Sequence, residues 1–120
     1  MIAQARKDLA EILEKQGLNV YRWVPERFEA PCVIIDTAPR IESGETFGEY
    51  QLSFKVTVVV ASAGDFGIQV ENLDRLLDTV LEALGNVDVT AQGHYILQNP
   101  DGQQMLAYEI NVESDYRKEK

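Results

Sequence analysis

Few residues in the sequence belong to the types that catalysis or metal binding commonly uses. His94 is the only histidine and Cys32 the only cysteine. His94 lies in phase with Thr90, Gln92 and Gln98 on the more polar face of a predicted strand, which is typical of a half-exposed strand histidine. A catalytic base is the alternative, but no orienting partner is recognisable around it.

Cys32 begins an apolar segment directly after Pro31. This position favours a buried structural thiol. A nucleophilic thiol is the alternative, and it would need electropositive surroundings that the sequence does not show. A single cysteine also allows no disulfide within the chain.

Carboxylates form the second group of candidates. Glu109, Glu113 and Asp115, with Asn111 between them, project from one face of the last predicted strand. Alternate residues of a strand lie ~6.5–7 Å apart, which is wide for two ligands of one divalent ion. An acidic strip that is solvated or contacts another protein is therefore favoured over a metal site.

Glycine-containing segments supply no nucleotide or cofactor motif. Gly44–Gly48 lacks both the GxGxxG spacing and a helix directly after it. In Ser62–Gly67, Asp65 is better placed to cap the following helix than to do chemistry. We therefore expect no cofactor, no metal and no enzymatic activity.

Composition excludes further classes. The chain has 120 residues with 20 acidic and 11 basic side chains, a formal net charge of −9. Binding to a phosphate backbone needs clustered Lys and Arg, so a nucleic-acid reader is not expected. No segment has the ~20 apolar residues of a membrane span or the apolar core of a signal peptide, so a soluble protein made in the cytoplasm is expected.

Hydrophobic spacing predicts two amphipathic helices and five strands. The helices are Ile2–Gln16 and Ile68–Leu84, and the strands are Leu18–Val24, Cys32–Thr37, Glu49–Ala61, Asp88–Gln98 and Gln103–Tyr116. Asn99–Gly102 is a turn joining the last two strands. The expected fold is a single α+β domain over residues 1–116, with a flexible tail at 117–120. It is a two-layer sandwich in which two helices pack on one face of a mainly antiparallel sheet of about four to five strands.

The segment Ala38–Gly48 shows no periodicity and is expected to be an 11-residue loop. Two apolar side chains lie in it among polar ones. These are Ile41 and Phe47, and their neighbours include Pro39, Arg40, Glu42 and Glu45. Apolar residues of a polar loop either anchor a partner or fold back onto their own core, and the sequence leaves both alternatives open.

The order of elements resembles a family of structural proteins. The resemblance rests on GLNVYRWVPERFEAPCVIID (17–36), YQLSFKVTVVVA (50–61), VENLDRLLDTVLEAL (70–84) and the closing hairpin. Together with the first helix, these segments are similar to the small tail-terminator proteins of long-tailed, non-contractile bacteriophages. Related proteins that join phage heads to tails share the pattern loosely.

The resemblance implies a structural protein of the virion that forms a ring, typically a hexamer. Such a ring caps the head-proximal end of the tail tube, stops its polymerisation and offers a surface to the head-completion protein, while DNA passes through without specific binding. It further implies that the long loop, with the residues named above, takes part in contacts between subunits or with the tube.

Electrostatics gives the charged residues a role in such a ring. Opposite faces of a subunit must be complementary, so Glu109 and Glu113 are candidates to meet basic residues of the next subunit. Those basic residues are Arg22, Arg27, Arg40 and Lys55. An acidic surface also suits the wall of a DNA channel, because it repels phosphates. Another connector component or a protein-binding adaptor is the alternative function, and a small α+β enzyme is the third.

Overall fold

The computed structural model describes residues 2–44, 48–61, 65–85, 88–98 and 104–117, with the backbone alone for 88–98, 104 and 114–117. The helices are α1 (Ile2–Glu14) and α2 (Phe66–Ala83). The strands are β1 (Val20–Tyr21), β2 (Cys32–Ile35), β3 (Arg40–Ser43), β4 (Glu49–Val60), β5 (Asp88–Gln98) and β6 (Gln104–Arg117). The predicted α+β class, with two helices and a mainly antiparallel sheet, is confirmed. None of the helices in the described ranges is long and apolar enough to cross a membrane.

Five strands follow the order β1-β2-β4-β6-β5, and β3 pairs with β4 outside this path. Among the strands in the described residues, β1 and β2 form the one parallel pair. The expected set of five strands is thus confirmed, and β3 adds a sixth. Strand β6 occupies one edge of β4 along the whole length of β4, from Glu49 to Val60. Strands β2 and β3 therefore both pair with the other edge of β4.

Local signals set the helix ends. The Oδ1 atom of Asp65 accepts a hydrogen bond of 2.9 Å from the amide of Ile68, which confirms the predicted cap of α2. Past α1, Gly17 has a φ of +78°, a left-handed conformation that glycine adopts without strain. Its amide donates to the Glu14 carbonyl at 2.9 Å.

The main core follows the alternation of β4. Every even position from Leu52 to Val60 is at most 3% exposed, whereas Lys55 is exposed. The same cluster of buried side chains includes residues from both helices and from two other strands. These are Leu9, Ala10, Leu13, Leu73, Leu77, Val80, Val33, Ile35, Leu106, Ile110 and Val112. Packing of both helices on one face stays a prediction, which this shared cluster supports.

A second, smaller cluster lies on the opposite face of the sheet. It comprises Cys32, Ile34, Val59, Met105 and Ala107, with Tyr21, Phe28 and Ala30 packed against it. The segment before β2, expected to be a loop, therefore covers one end of this face. The rest of the face, along the odd-numbered positions of β4 and β6, is polar; we call it the open face.

The ends of the last hairpin differ slightly from the expectation. Arg117 is the last residue of β6 and lies opposite Glu49, so the strand extends one residue into the expected tail. The predicted turn Asn99–Gly102 and the tail residues 118–120 lie outside the described residues.

Candidate assembly surface

The predicted 11-residue loop is wrong for its central part, because Arg40–Ser43 forms strand β3. Ile41 lies opposite Leu52, and Glu42 lies opposite Gln51. The β3–β4 hairpin closes where the Gly44 amide donates to the Glu49 carbonyl at 2.8 Å. A Cβ at position 44 would lie 2.7 Å from the Glu49 Cβ, so this close approach requires glycine.

Six residues of this segment were expected to make contacts, and they differ in exposure. Arg40, Ile41 and Glu42 are exposed, and the Ile41 side chain is 46% exposed despite its apolar character. Pro39 is half-buried. The predictions for Glu45 and Phe47 fall outside the described residues.

Arg6 of α1 holds the chain where β2 ends and β3 begins. Its Nη1 donates to the carbonyls of Arg22 and Asp36 at 2.6 and 2.8 Å, and its Nη2 donates to the Thr37 carbonyl at 2.5 Å. The guanidinium also lies 5.4 Å from the centroid of the Phe54 ring. One side chain thus fixes the segment that leads into β3 relative to the helix and the core.

The open face carries the predicted acidic strip. Glu109, Asn111 and Glu113 are all half-buried on β6, with Thr57, Lys55 and Ser53 opposite them on β4. Register places Asp115 opposite Gln51, and its side chain lies outside the described part. The strip is therefore one row of a polar sheet surface.

The charges of this surface pair within the chain. Lys55 Nζ lies 3.4 Å from Glu109 Oε1, and Arg40 Nη2 lies 2.5 Å from Glu42 Oε1. Away from the open face, Arg22 pairs with Glu14 at 3.2 Å. Pairing of these residues with charges of a neighbouring subunit stays a prediction; within one chain, Lys55 and Glu109 pair because they lie on adjacent strands of the open face. Exposed pairs of this kind stabilise by ~0–1 kcal/mol and can exchange partners on assembly.

The two residues with the strongest catalytic chemistry are placed as follows. Cys32 is 1% exposed, and burial raises the pKa of its thiol from 9.0 to about 12, which removes nucleophilic character near neutral pH. His94 lies opposite Tyr108, whereas Thr90 lies opposite Asn111. A register irregularity between Ala91 and His94 changes the phase, so His94 is in phase with Gln98, as expected, but not with Thr90.

We predict that the native Cys32 thiol resists alkylation. At pH 8 iodoacetamide is expected to react at least ~100-fold more slowly with the native chain than with the chain in denaturant. Mass spectrometry over time measures this ratio. The Ser43→Cys variant supplies a control, since its new exposed thiol should react while Cys32 in the same molecule does not. Equal labelling at both sites would contradict the predicted burial.

The raised pKa of Cys32 also determines how the stability of the fold depends on pH. The folded-state pKa is raised, so the unfolded chain releases its proton first, and the contribution of Cys32 to stability is complete below pH ~9 and declines as pH rises towards 12.

The sequence patterns did not predict that most of the following large apolar side chains are exposed. Trp23 and Val24 are 61% and 55% exposed, and Phe66 and Ile68 at the start of α2 are 64% and 48% exposed. Trp23 and Val24 were assigned to a strand, which in fact ends at Tyr21. The Val24 amide donates to Thr37 Oγ1 at 2.9 Å, so this pair lies beside the segment that Arg6 fixes.

A shallow groove of about 360 Å³ is lined mainly by apolar groups, including Pro31, Val60, Ala61 and Leu76, with Arg75 beside them. No group of three or more His, Cys, Asp or Glu side chains able to hold a metal occurs among the residues that the structure describes. The arrangement offers surfaces for protein contact: an exposed strand, exposed apolar side chains and a polar sheet face.

No protein-family model and no curated protein sequence matches the chain.

Proposed function

We propose that this chain is a structural protein of a long-tailed, non-contractile bacteriophage, acting as a tail terminator. In this proposal copies of the chain form a ring, with six subunits as the expected number. The ring caps the head-proximal end of the tail tube, stops its polymerisation and presents a surface to the head-completion protein.

The observation that carries the proposal is the exposure of large apolar side chains on β3 and on the segment that is hydrogen-bonded to the chain before it. Ile41 on β3 is exposed, and the exposed Trp23 and Val24 lie beside the segment preceding it. Large exposed apolar side chains are common anchors of protein contacts, so we assign Trp23, Val24 and Ile41 to the contact. The resemblance of the element order to tail terminators supplies the identity of the partner.

The open face supports a channel role for the same ring. Glu109 and Glu113 lie on the open face, where Lys55 pairs with Glu109, and the register places Asp115 in the same row. An acidic wall repels DNA phosphates, so DNA would pass without being bound.

Assembly of the purified protein tests the proposal. We expect closed rings of six subunits in negative-stain electron microscopy, and a single concentration-dependent species of that mass in analytical ultracentrifugation. When added to tail-tube protein during polymerisation, the ring should bind one tube end and halt growth. A chain that stays monomeric at every concentration, and also on purified tubes, would contradict the proposal; in that case an adaptor function would replace it.

Trp23→Ser tests whether the exposed apolar residues Trp23, Val24 and Ile41 make the contact with the tail tube. Truncating a large interface aromatic commonly weakens binding by ~10–100-fold, and we expect this loss in tube binding. Leu81→Ser is the matched control, because Leu81 is a 40% exposed apolar residue on α2. Equal binding by the two variants would contradict this assignment.

A further inference from the structure

Strands β3 and β5 lie on opposite sides of the sheet, and within the described residues each has an edge with no strand paired to it; the hydrogen-bond register identifies the backbone groups that point outward there. The Gly44 amide bonds to Glu49, and antiparallel pairs alternate between bonded and non-bonded along a ladder. Glu42 and Arg40 therefore bond to β4. The N–H and C=O groups of Ile41 and Ser43 point away from the sheet.

The same alternation continues across the sheet to β5. Odd-numbered residues of β4 bond towards β2 and β3, since the Lys55 carbonyl accepts from the Asp36 amide at 2.8 Å. Even-numbered residues of β4 and β6 therefore bond to each other, and odd-numbered residues of β6 bond to β5. In β5, Tyr95 and Leu97 bond inward, and the backbone groups of Ile96 point outward.

The composition of the second half of β5 favours pairing at this edge. Natural proteins protect exposed edge strands with charges, with proline or with irregular pairing. Its 11 residues contain one acidic residue, Asp88 at the start, and no Lys, Arg, Glu or Pro; beyond the irregularity at 91–94, the sequence His94–Gln98 carries no acidic or basic residue apart from the histidine. This second half of β5 has high strand propensity and little charge, which favours pairing with another strand.

We infer that the β3 edge of one subunit pairs with the β5 edge of the next copy of this chain. The two edges lie at opposite sides of one sheet, so pairing them joins different surfaces in a head-to-tail manner, which generates rings when the rotation closes. Pairing two β3 strands would instead end at a dimer. The inference rests on the proposed ring and specifies the contact that builds it.

Proline at the outward-pointing positions tests the inference. Ile41→Pro removes one outward N–H and leaves the β3–β4 bonds in place, and Ile96→Pro does the same on β5. We expect each variant to require a roughly 100-fold higher concentration to form rings. Ile41→Thr and Ile96→Thr keep the N–H and the strand propensity but remove the apolar side chain, so the loss in each proline variant is measured relative to the threonine variant at the same position. Thermal unfolding verifies that each variant is folded.

Mixing the two proline variants gives the sharpest result. The Ile96→Pro subunit keeps its β3 edge and the Ile41→Pro subunit keeps its β5 edge, so one contact can form. At a concentration below that at which either variant alone forms rings, we expect a 1:1 dimer with twice the 13.5 kDa mass of the chain, while each variant alone remains monomeric.

Hydrogen exchange provides a readout independent of substitution. On assembly of the unmodified chain, peptides covering 40–43 and 88–98 should both gain protection. Rings that persist in Ile41→Pro, or protection at neither edge, would overturn the edge pairing and leave the proposed ring standing. A chain that never assembles would overturn both.

Discussion

Replacing Arg6 by alanine is expected to lower the free energy of unfolding by about 2–3 kcal/mol, because three charge-assisted hydrogen bonds and a contact with an aromatic ring are lost together. The carbonyls of Arg22, Asp36 and Thr37 lose their common donor. Urea denaturation followed by circular dichroism measures the change. Arg6→Lys should recover less than half of the loss, since an ammonium cannot reproduce the planar fork.

A second arginine supplies the control for this prediction. The Arg40 side chain is 77% exposed and pairs with Glu42, so Arg40→Ala should change stability by no more than ~0.5 kcal/mol. If Arg6→Ala and Arg40→Ala were equally stable, the assigned role of Arg6 would be wrong. Because Arg6 fixes the segment before β3, its loss should also speed amide exchange at Glu42, whose N–H bonds to β4.

Replacing Leu73 by alanine is expected to destabilise the chain by about 2–5 kcal/mol. Leu73 is fully buried in the cluster that joins α2 to the sheet, and truncation leaves a cavity that a packed core cannot fill. Urea denaturation again gives the measurement, with an unchanged slope showing that the same surface is exposed on unfolding.

Leu81→Ala makes the same chemical change on the same helix. Leu81 is 40% exposed, so less than ~1 kcal/mol is expected. Similar losses at the two positions would show that the assigned buried face of α2 is incorrect.

Long periodic segments were predictable because their signals are local. The alternation in β4 and the apolar stripe of α2 both depend on near neighbours in the chain, and so does the cap at Asp65. Strand β3 was missed because it has four residues with one apolar side chain, Ile41. It is a strand because β4 extends beyond β2 and offers unpaired backbone groups at that end.

The candidate surface was predictable only in part. The position of Glu109 on a polar face followed from the alternation of the strand, whereas the sequence left open whether Ile41 is exposed. The partner of Lys55 did not follow from the sequence, since cross-strand pairs depend on register. The phase of His94 relative to Thr90 was missed because an irregularity in the pairing leaves no pattern in composition.

By itself, the sequence determined which segments become helices and long strands and which residues of β4 and α2 enter the core, because burial periodicity is a property of neighbouring residues. Only the tertiary structure decided that Arg6 ties three segments together and that Trp23 is exposed. It also decided which strands lie at the edges of the sheet. These properties depend on which distant segments meet and in what register, and a one-residue shift in register would exchange the two faces of a strand.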